Sequence, residues 1–378
     1  MNPSINWNEV RKQFPITDNQ IYLMNAAVAG LHRRTLNAAQ DMLNTMAYKG
    51  AIADDIYFGL IQSSKETLAD FIHSTKEEVV FTPNTSHNMN VLAMLLKQHS
   101  QRNKIIAVED EFPSSVVGFY HQGFQVEIIP KGNHRYEVSD FEKRIDNQTA
   151  AIVLSGIQYG TGFKMPVKEI AQFAKNKNIP VFLNATQHLG HAPLNIVDLG
   201  VQAMTASCHK WLGAGIGLAV LYVSAEFSRG KKWPLAGWVS VDEPWQLSVQ
   251  TPRIRSDAGA LGTGSIPFVN LASIQEAIKV QQEIGIENIY HRILELSQKL
   301  YFVLKDCGAT VYSPRENISE RSGILNFEIQ GTDSELIAQK LKAQNIFINH
   351  RKGRCRASIH YYNNESDIHA FESGLRSL

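Results

Sequence analysis

The chain has 378 residues, 44% of them hydrophobic, enough for a large buried core and two domains. With 37 basic and 36 acidic residues the formal net charge is +1, and no basic run interleaved with aromatics points to nucleic acid. No apolar run approaches the roughly 18 residues of a membrane span, and Cys208, Cys307 and Cys355 are too scattered for a disulfide framework or a metal site.

The scattered, odd-numbered cysteines make a reducing cytoplasm the expected setting, and the first ten residues are polar with no apolar signal region. After them, short β-rich runs alternate with helical patterns. Strands are expected at 78–82, 104–109, 125–130, 150–155, 180–184, 203–207 and 218–223. Helices are expected at 86–98, 113–122 and 167–177. This alternation predicts an α/β fold with a mostly parallel sheet covered on both faces, and ligands at the carboxyl ends of its strands. A helix at 289–304 follows, with Ile289, Ile293, Leu296, Leu300 and Val303 on one side. Probable strands at 310–312, 323–329 and 356–360 then build a smaller domain. The boundary falls within 260–285. The expected division is 16–265 for the large domain and 266–378 for the small one, with 1–15 packed near the latter.

Chemistry collects at the predicted strand ends. The run Phe81-Thr82-Pro83-Asn84-Thr85-Ser86 opens a helix, where free N–H groups and two hydroxyls can hold an anion. A plain helix cap is the alternative reading. Glu111-Phe112-Pro113-Ser114-Ser115 follows another strand end, and the Phe112 ring suits either a core or a flat ligand. A strand ends at Asn184-Ala185-Thr186-Gln187. The most informative run is Ser207-Cys208-His209-Lys210-Trp211-Leu212-Gly213. It places Lys210 just past a strand, among apolar neighbours. Burial lowers an ammonium pKa, and the neutral amine can then attack an aldehyde and form an imine. The glycines at 213, 215 and 217 precede a strand rather than a helix, so they suit a tight turn and not a dinucleotide site. Cys208 is better read as a small buried side chain than as a nucleophile.

In order and spacing these segments resemble the class V aminotransferase and cysteine desulfurase family of pyridoxal phosphate enzymes, of fold type I. The resemblance runs from Ile21-Tyr22-Leu23-Met24-Asn25-Ala26-Ala27 to Arg356-Ala357-Ser358-Ile359-His360-Tyr361-Tyr362-Asn363. It implies a large domain with a mostly parallel seven-stranded sheet, plus a smaller α+β domain. Lys210 would carry pyridoxal phosphate and shuttle the Cα proton. Thr85, Ser86, Ser207 and His209 would hold the phosphate, with Thr263 reaching the phosphate of a partner subunit, which implies a homodimer with shared sites. Phe112 would lie over the ring, Gln187 would donate to its phenolic oxygen, and Gln158 would line the cofactor. Arg356 would clamp the carboxylate of a small amino-acid-type substrate, with Trp238 and Asn25 beside it.

Two departures matter. Desulfurases carry a nucleophilic cysteine on a loop shortly before the closing arginine, and the run Ile346-Phe347-Ile348-Asn349-His350-Arg351-Lys352-Gly353 has none. Together with Phe112, this places the chain nearer the isopenicillin N epimerase and kynureninase branch than the true desulfurases. Second, Asn184 stands where the family has the aspartate that protonates the pyridine nitrogen. A neutral amide is expected to leave that nitrogen largely unprotonated. The expected reaction is a lyase-type β-elimination such as C–S cleavage, followed by racemisation or epimerisation, then transamination. A binding or regulatory protein of this fold without turnover is the reading from another class.

Overall fold

The computed structural model describes residues 5–98, 100–250 and 252–378. Met1 to Ser4 of the polar N-terminal segment lie outside them. The strands are β1 (Ile21–Tyr22), β2 (Val79–Thr82), β3 (Lys104–Val108), β4 (Gln125–Ile129), β5 (Thr149–Ser155), β6 (Val181–Asn184), β7 (Ala203–Ser207) and β8 (Ala219–Val223). A later group follows: β9 (Ala309–Val311), β10 (Ile324–Ile329), β11 (Ile346–Phe347), β12 (Asn349–Arg351) and β13 (Arg354–Ser358). The seven strands expected from the sequence therefore form, each within a residue of its expected limits.

They make one sheet in the order β2-β8-β7-β6-β5-β3-β4, in which only β8 runs antiparallel to its neighbours. Both faces are covered, as a parallel sheet requires. Ile152 and Leu154 of β5 enter one core while Ala151 and Val153 enter the other, and on β6 Val181 and Leu183 are separated in the same way from Phe182. Strand order reverses beside β3 and β5, so a crevice opens at their carboxyl ends.

The second sheet, β12-β13-β10-β9, is antiparallel and encloses its own core with the Ile286–Asp306 helix. Arg11 forks onto the Asp367 carboxylate at 2.8 and 2.9 Å, which fixes the first helix, Trp7–Lys12, against this part of the molecule. The chain then returns: β1 pairs in parallel with β11, and Met24 bridges to Ser358.

Packing sets the Phe268–Ile284 helix beside the large sheet, because Leu271, Ile274, Ala277 and Ile278 enter that core and the helix lies on Arg33–Lys49 and Asp54–Ile72. We place the division between the two parts at Gly285, the far end of the 260–285 span. One expectation changes. The helix expected at 113–122 divides into a 3-10 turn, Pro113–Ser115, and a short helix, Val117–His121. Ser115 is held from two sides by side chains of the site, and the helical path breaks at the next residue.

Candidate active site

Five strands of the large sheet deliver their ends to one cavity of about 320 Å³. Thr85 and Ser86 come from the turn after β2, and Phe112 follows β3. Ser155 ends β5, Asn184 ends β6, and Ser207, His209 and Lys210 follow from β7. Ala26 and Ala27 close it from the N-terminal segment, and Arg351 and Arg356 from the small sheet. The lining includes Lys210, Arg351 and Arg356, and among the described residues it includes no carboxylate.

Burial pushes the Lys210 pKa down to about 7, and the positive charges of Arg356 and Arg351 act in the same direction. Near neutral pH much of this amine is therefore unprotonated and nucleophilic. Its Nζ lies 5.7 Å from the centre of the Phe112 ring, which meets Tyr159 edge-on. Behind Lys210, Gly213 adopts a φ of +64° and donates its N–H to the Lys210 carbonyl at 2.7 Å. A Cβ there would stand 2.7 Å from the Gly30 carbonyl oxygen, so this glycine admits the N-terminal segment. Trp211 is sandwiched between His191 and His360 and donates its indole N–H to Gln187 Oε1 at 2.7 Å. Gln187 in turn donates to the Ala26 carbonyl at 2.9 Å.

At one end of the cavity three hydroxyls converge. Thr85 Oγ1 lies 2.8 Å from Ser207 Oγ and 3.2 Å from Thr186 Oγ1. They meet where the Thr85–Lys97 helix begins, with Asn84 as its cap. The first N–H groups of such a helix have no partners within it. Thr186 was not singled out in the sequence. A hydroxyl two residues beyond the polar strand-end residue was the available signal. His209 is held neutral near this end, its pKa pushed down to about 4 by burial and by Lys210.

At the other end, Asn184 donates from Nδ2 to Ser115 Oγ at 2.9 Å and accepts the Thr186 N–H on Oδ1 at 3.1 Å. Arg356 donates to the Tyr159 carbonyl at 2.7 Å and to Asn349 Oδ1 at 3.0 Å, and its buried Nε has no partner. Burial lowers its pKa to about 10, which leaves it charged at neutral pH.

Three residues expected at this site, and Thr263, expected at a partner's, lie elsewhere. Gln158 is fully buried and donates to Glu111 Oε1 at 3.0 Å instead of lining the cavity. Asn25 is also fully buried, tied to the Ser358 carbonyl at 2.8 Å and to the Tyr362 hydroxyl. It joins the N-terminal segment to the small sheet. Trp238 lines a separate cavity of about 420 Å³ with Phe58, Trp245 and Arg255. Thr263 stands between Gly262 and Gly264, which line that second cavity.

The family model for aminotransferase class V matches residues 21–371. The chain belongs to the class V aminotransferase family. A probable cysteine desulfurase of Pyrococcus abyssi is 24% identical, over 98% of this chain and 97% of its own length. A kynureninase of Shouchella clausii is 24% identical, over 95% of this chain and 88% of its own. Among solved structures, the cystine C–S lyase C-DES in complex with cysteine persulfide superposes with a TM-score of 0.89. It is 20% identical and covers 96% of this chain and 99% of that one. The fold is thus fold type I, and the chain is a pyridoxal phosphate enzyme of this family. The cavity fits that group. It offers a low-pKa amine for the aldehyde, a hydroxyl cluster at a helix N-terminus for the phosphate, an aromatic face for the ring, and a fixed amide at the opposite end.

Proposed function

We propose that this class V aminotransferase-family enzyme catalyses β-elimination on an amino acid with a leaving group at Cβ, such as a C–S bond. Pyridoxal phosphate, when bound, supplies the electron withdrawal that makes the Cα–H bond acidic. Arg356 lines the cavity and holds the α-carboxylate through its planar fork. Lys210, released as a neutral amine, takes the Cα proton and can return it to the departing group. Thr85, Ser86, Thr186, Ser207 and His209 hold the phosphate end. Phe112 covers the ring, and Asn184 and Gln187 address its nitrogen and its phenolic oxygen.

The observation that carries this reading over desulfuration is the position of the thiols. Cys208 and Cys355 are buried, their pKa values pushed up by that burial, and Cys355 Sγ points to the Ser334 carbonyl. Cys307 caps the Ile286–Asp306 helix, away from the cavity. Sulfur leaving a substrate would therefore meet no cysteine there and would depart to solvent. All three cysteines are unpaired, in keeping with the cytoplasm. Among the described residues no helix is long and apolar enough to cross a membrane.

We further propose a homodimer. Trp238 and Trp245 expose apolar surface at the second cavity, and Leu247 and Val249 expose more in a neighbouring hollow that Trp238 also lines. Packing that face on a second copy would bring Thr263 to the phosphate of the partner's site.

The deciding experiment offers cystine, cysteine and β-chloroalanine to the holoenzyme and measures pyruvate and ammonia. Equimolar release of both is expected. Exchange of the Cα hydrogen with inversion and no ammonia would instead identify an epimerase. Keto acid formed without ammonia would identify a transaminase, and binding without any product would identify a non-catalytic relative.

A further inference from the structure

Asn184 is not an isolated amide. Its Nδ2 donates to Ser115 Oγ at 2.9 Å, and Ser115 donates onward to Glu111 Oε2 at 2.8 Å. Glu111 lies outside the cavity, 9% exposed, and its carboxylate is saturated. The Ser155 N–H and Gln158 Nε2 reach Oε1 at 2.5 and 3.0 Å, while the Ser155 and Ser115 hydroxyls reach Oε2 at 2.6 and 2.8 Å. Four donors meet the four acceptor sites of an ionised carboxylate. Were Glu111 protonated, its own O–H would have to displace one of these donors, or turn a serine hydroxyl or the Gln158 amide round to accept it. Burial raises the Glu111 pKa, and the same four hydrogen bonds oppose it. The donor count favours the anion.

The polarity of the chain is fixed at both ends. A backbone N–H can only donate, so the Thr186 N–H, 3.1 Å away, identifies the atom it meets as Asn184 Oδ1. Nδ2 must then face Ser115, whose hydroxyl accepts from it and gives its own proton to Glu111. Ser115 is fully buried and Asn184 is 3% exposed, so water does not interrupt the series. Gln158, displaced from the cavity lining, has a place here as a support of Glu111.

We propose that Glu111 is a positioning residue for the cofactor: through Ser115 it orients the Asn184 amide and supplies, one hydroxyl removed, the negative charge that an aspartate would place at the pyridine nitrogen. The charge is felt through a polarised hydrogen-bond series in a dry interior, where such coupling is stronger than in water. It also offsets the cations Arg351 and Arg356 that line the cavity. The ring nitrogen is thereby more proton-loving than a lone asparagine would make it, which departs from the expectation drawn from sequence. The inference rests on the assignment of Asn184 to the ring nitrogen.

The test is the nitrogen resonance of ring-15N pyridoxal phosphate bound to the holoenzyme, for wild type, Glu111→Gln, Ser115→Ala, Ser115→Thr and Asn184→Asp. Loading is checked by borohydride fixation. Relative to wild type, Glu111→Gln and Ser115→Ala are expected to move the resonance toward the unprotonated position. Ser115→Thr, which keeps the hydroxyl, is expected to restore it, and a merely structural support would not produce that pattern. Should Glu111→Gln fail to fold, Ser115→Ala decides, since it leaves the carboxylate with its Ser155 and Gln158 donors. If Asn184→Asp leaves the resonance unmoved, Asn184 does not face the ring nitrogen and the assignment beneath the proposal fails. If Asn184→Asp moves it while Glu111→Gln and Ser115→Ala coincide with wild type, the relay is overturned.

Discussion

The amine of Lys210 and the guanidinium of Arg356 lie in one cavity with opposite requirements: the first must lose its proton and the second must keep it. Burial depresses both, to about 7 and about 10, so near neutral pH much of the amine is free while the guanidinium keeps its proton. As pH rises through about 7 the Lys210 ammonium gives way to the amine that can attack. The rate of cofactor capture by the apoenzyme should therefore rise about tenfold between pH 6 and pH 8 and then level off. A stopped-flow series with added pyridoxal phosphate measures it, and a flat profile would show that the amine is not the titrating group. Lys210→Ala should yield no borohydride-fixed adduct while remaining folded. Arg356→Lys keeps the charge and loses the fork, so KM for a reactive amino acid should rise more than tenfold with cofactor content unchanged. Comparable binding of the decarboxylated amine by the wild type would refute the carboxylate role. Lys210 was legible in the sequence because a lysine among apolar residues at a strand end is chemically odd. Glu111 and Thr186 were not, because a glutamate and a threonine in a turn look like solvated loop residues until strands 44 and 21 positions away bring Ser155 and Ser207 to them.

At the level of elements, the parallel sheet was readable because strands buried on both faces are nearly continuous apolar runs. Val181-Phe182-Leu183 and Ala203-Met204 show it plainly. The helices Arg33–Lys49 and Asp54–Ile72 were not singled out. The first buries only Thr35 and Met42 of its 17 residues, so its apolar stripe is faint. The second joins the core through Leu68, Ala69 and Ile72 near its end, and the rest of its face is mixed. Phe268–Ile284 packs on these two helices, far earlier in the chain, so its place beside the large sheet was not readable locally. The start of the Thr85–Lys97 helix has a sharper consequence. If its N–H groups and the Thr85, Thr186 and Ser207 hydroxyls hold the phosphate, Thr85→Val and Thr186→Val should each weaken pyridoxal phosphate binding severalfold. Binding of pyridoxal, which lacks the phosphate, should hardly change. Equal losses for both ligands in equilibrium titrations would place the phosphate elsewhere.

On the scale of the molecule, the two domains are joined by more than the covalent crossover at Gly285. Phe14, Ala26, Trp211, Ile293, Ile324 and Tyr362 form a core of their own between them. A dimer would add a third unit of organisation. Sedimentation should give about twice the mass of a 42.3 kDa chain. Trp245→Glu, which sets a charge against Phe58 and Trp238, should release subunits with weakened cofactor affinity as Thr263 of the partner subunit departs. Subunits that separate and still hold pyridoxal phosphate as tightly as wild type would show that each site is complete alone.

The pairing of β1 with β11 and the bond from Asn25 to Ser358 also set an order of events during synthesis. These contacts join positions more than 300 residues apart, so β1 must wait, without its strand partner, while the chain between them is made. The large sheet can form in the meantime, since its strands lie between 79 and 223. A nascent chain stalled after residue 340 should thus protect β5 and β6 from proteolysis while leaving residues 20–30 open to cleavage. Capacity to take up cofactor should appear only once β13 has emerged, because Arg356 and the partner of the Asn25 segment both lie on that strand.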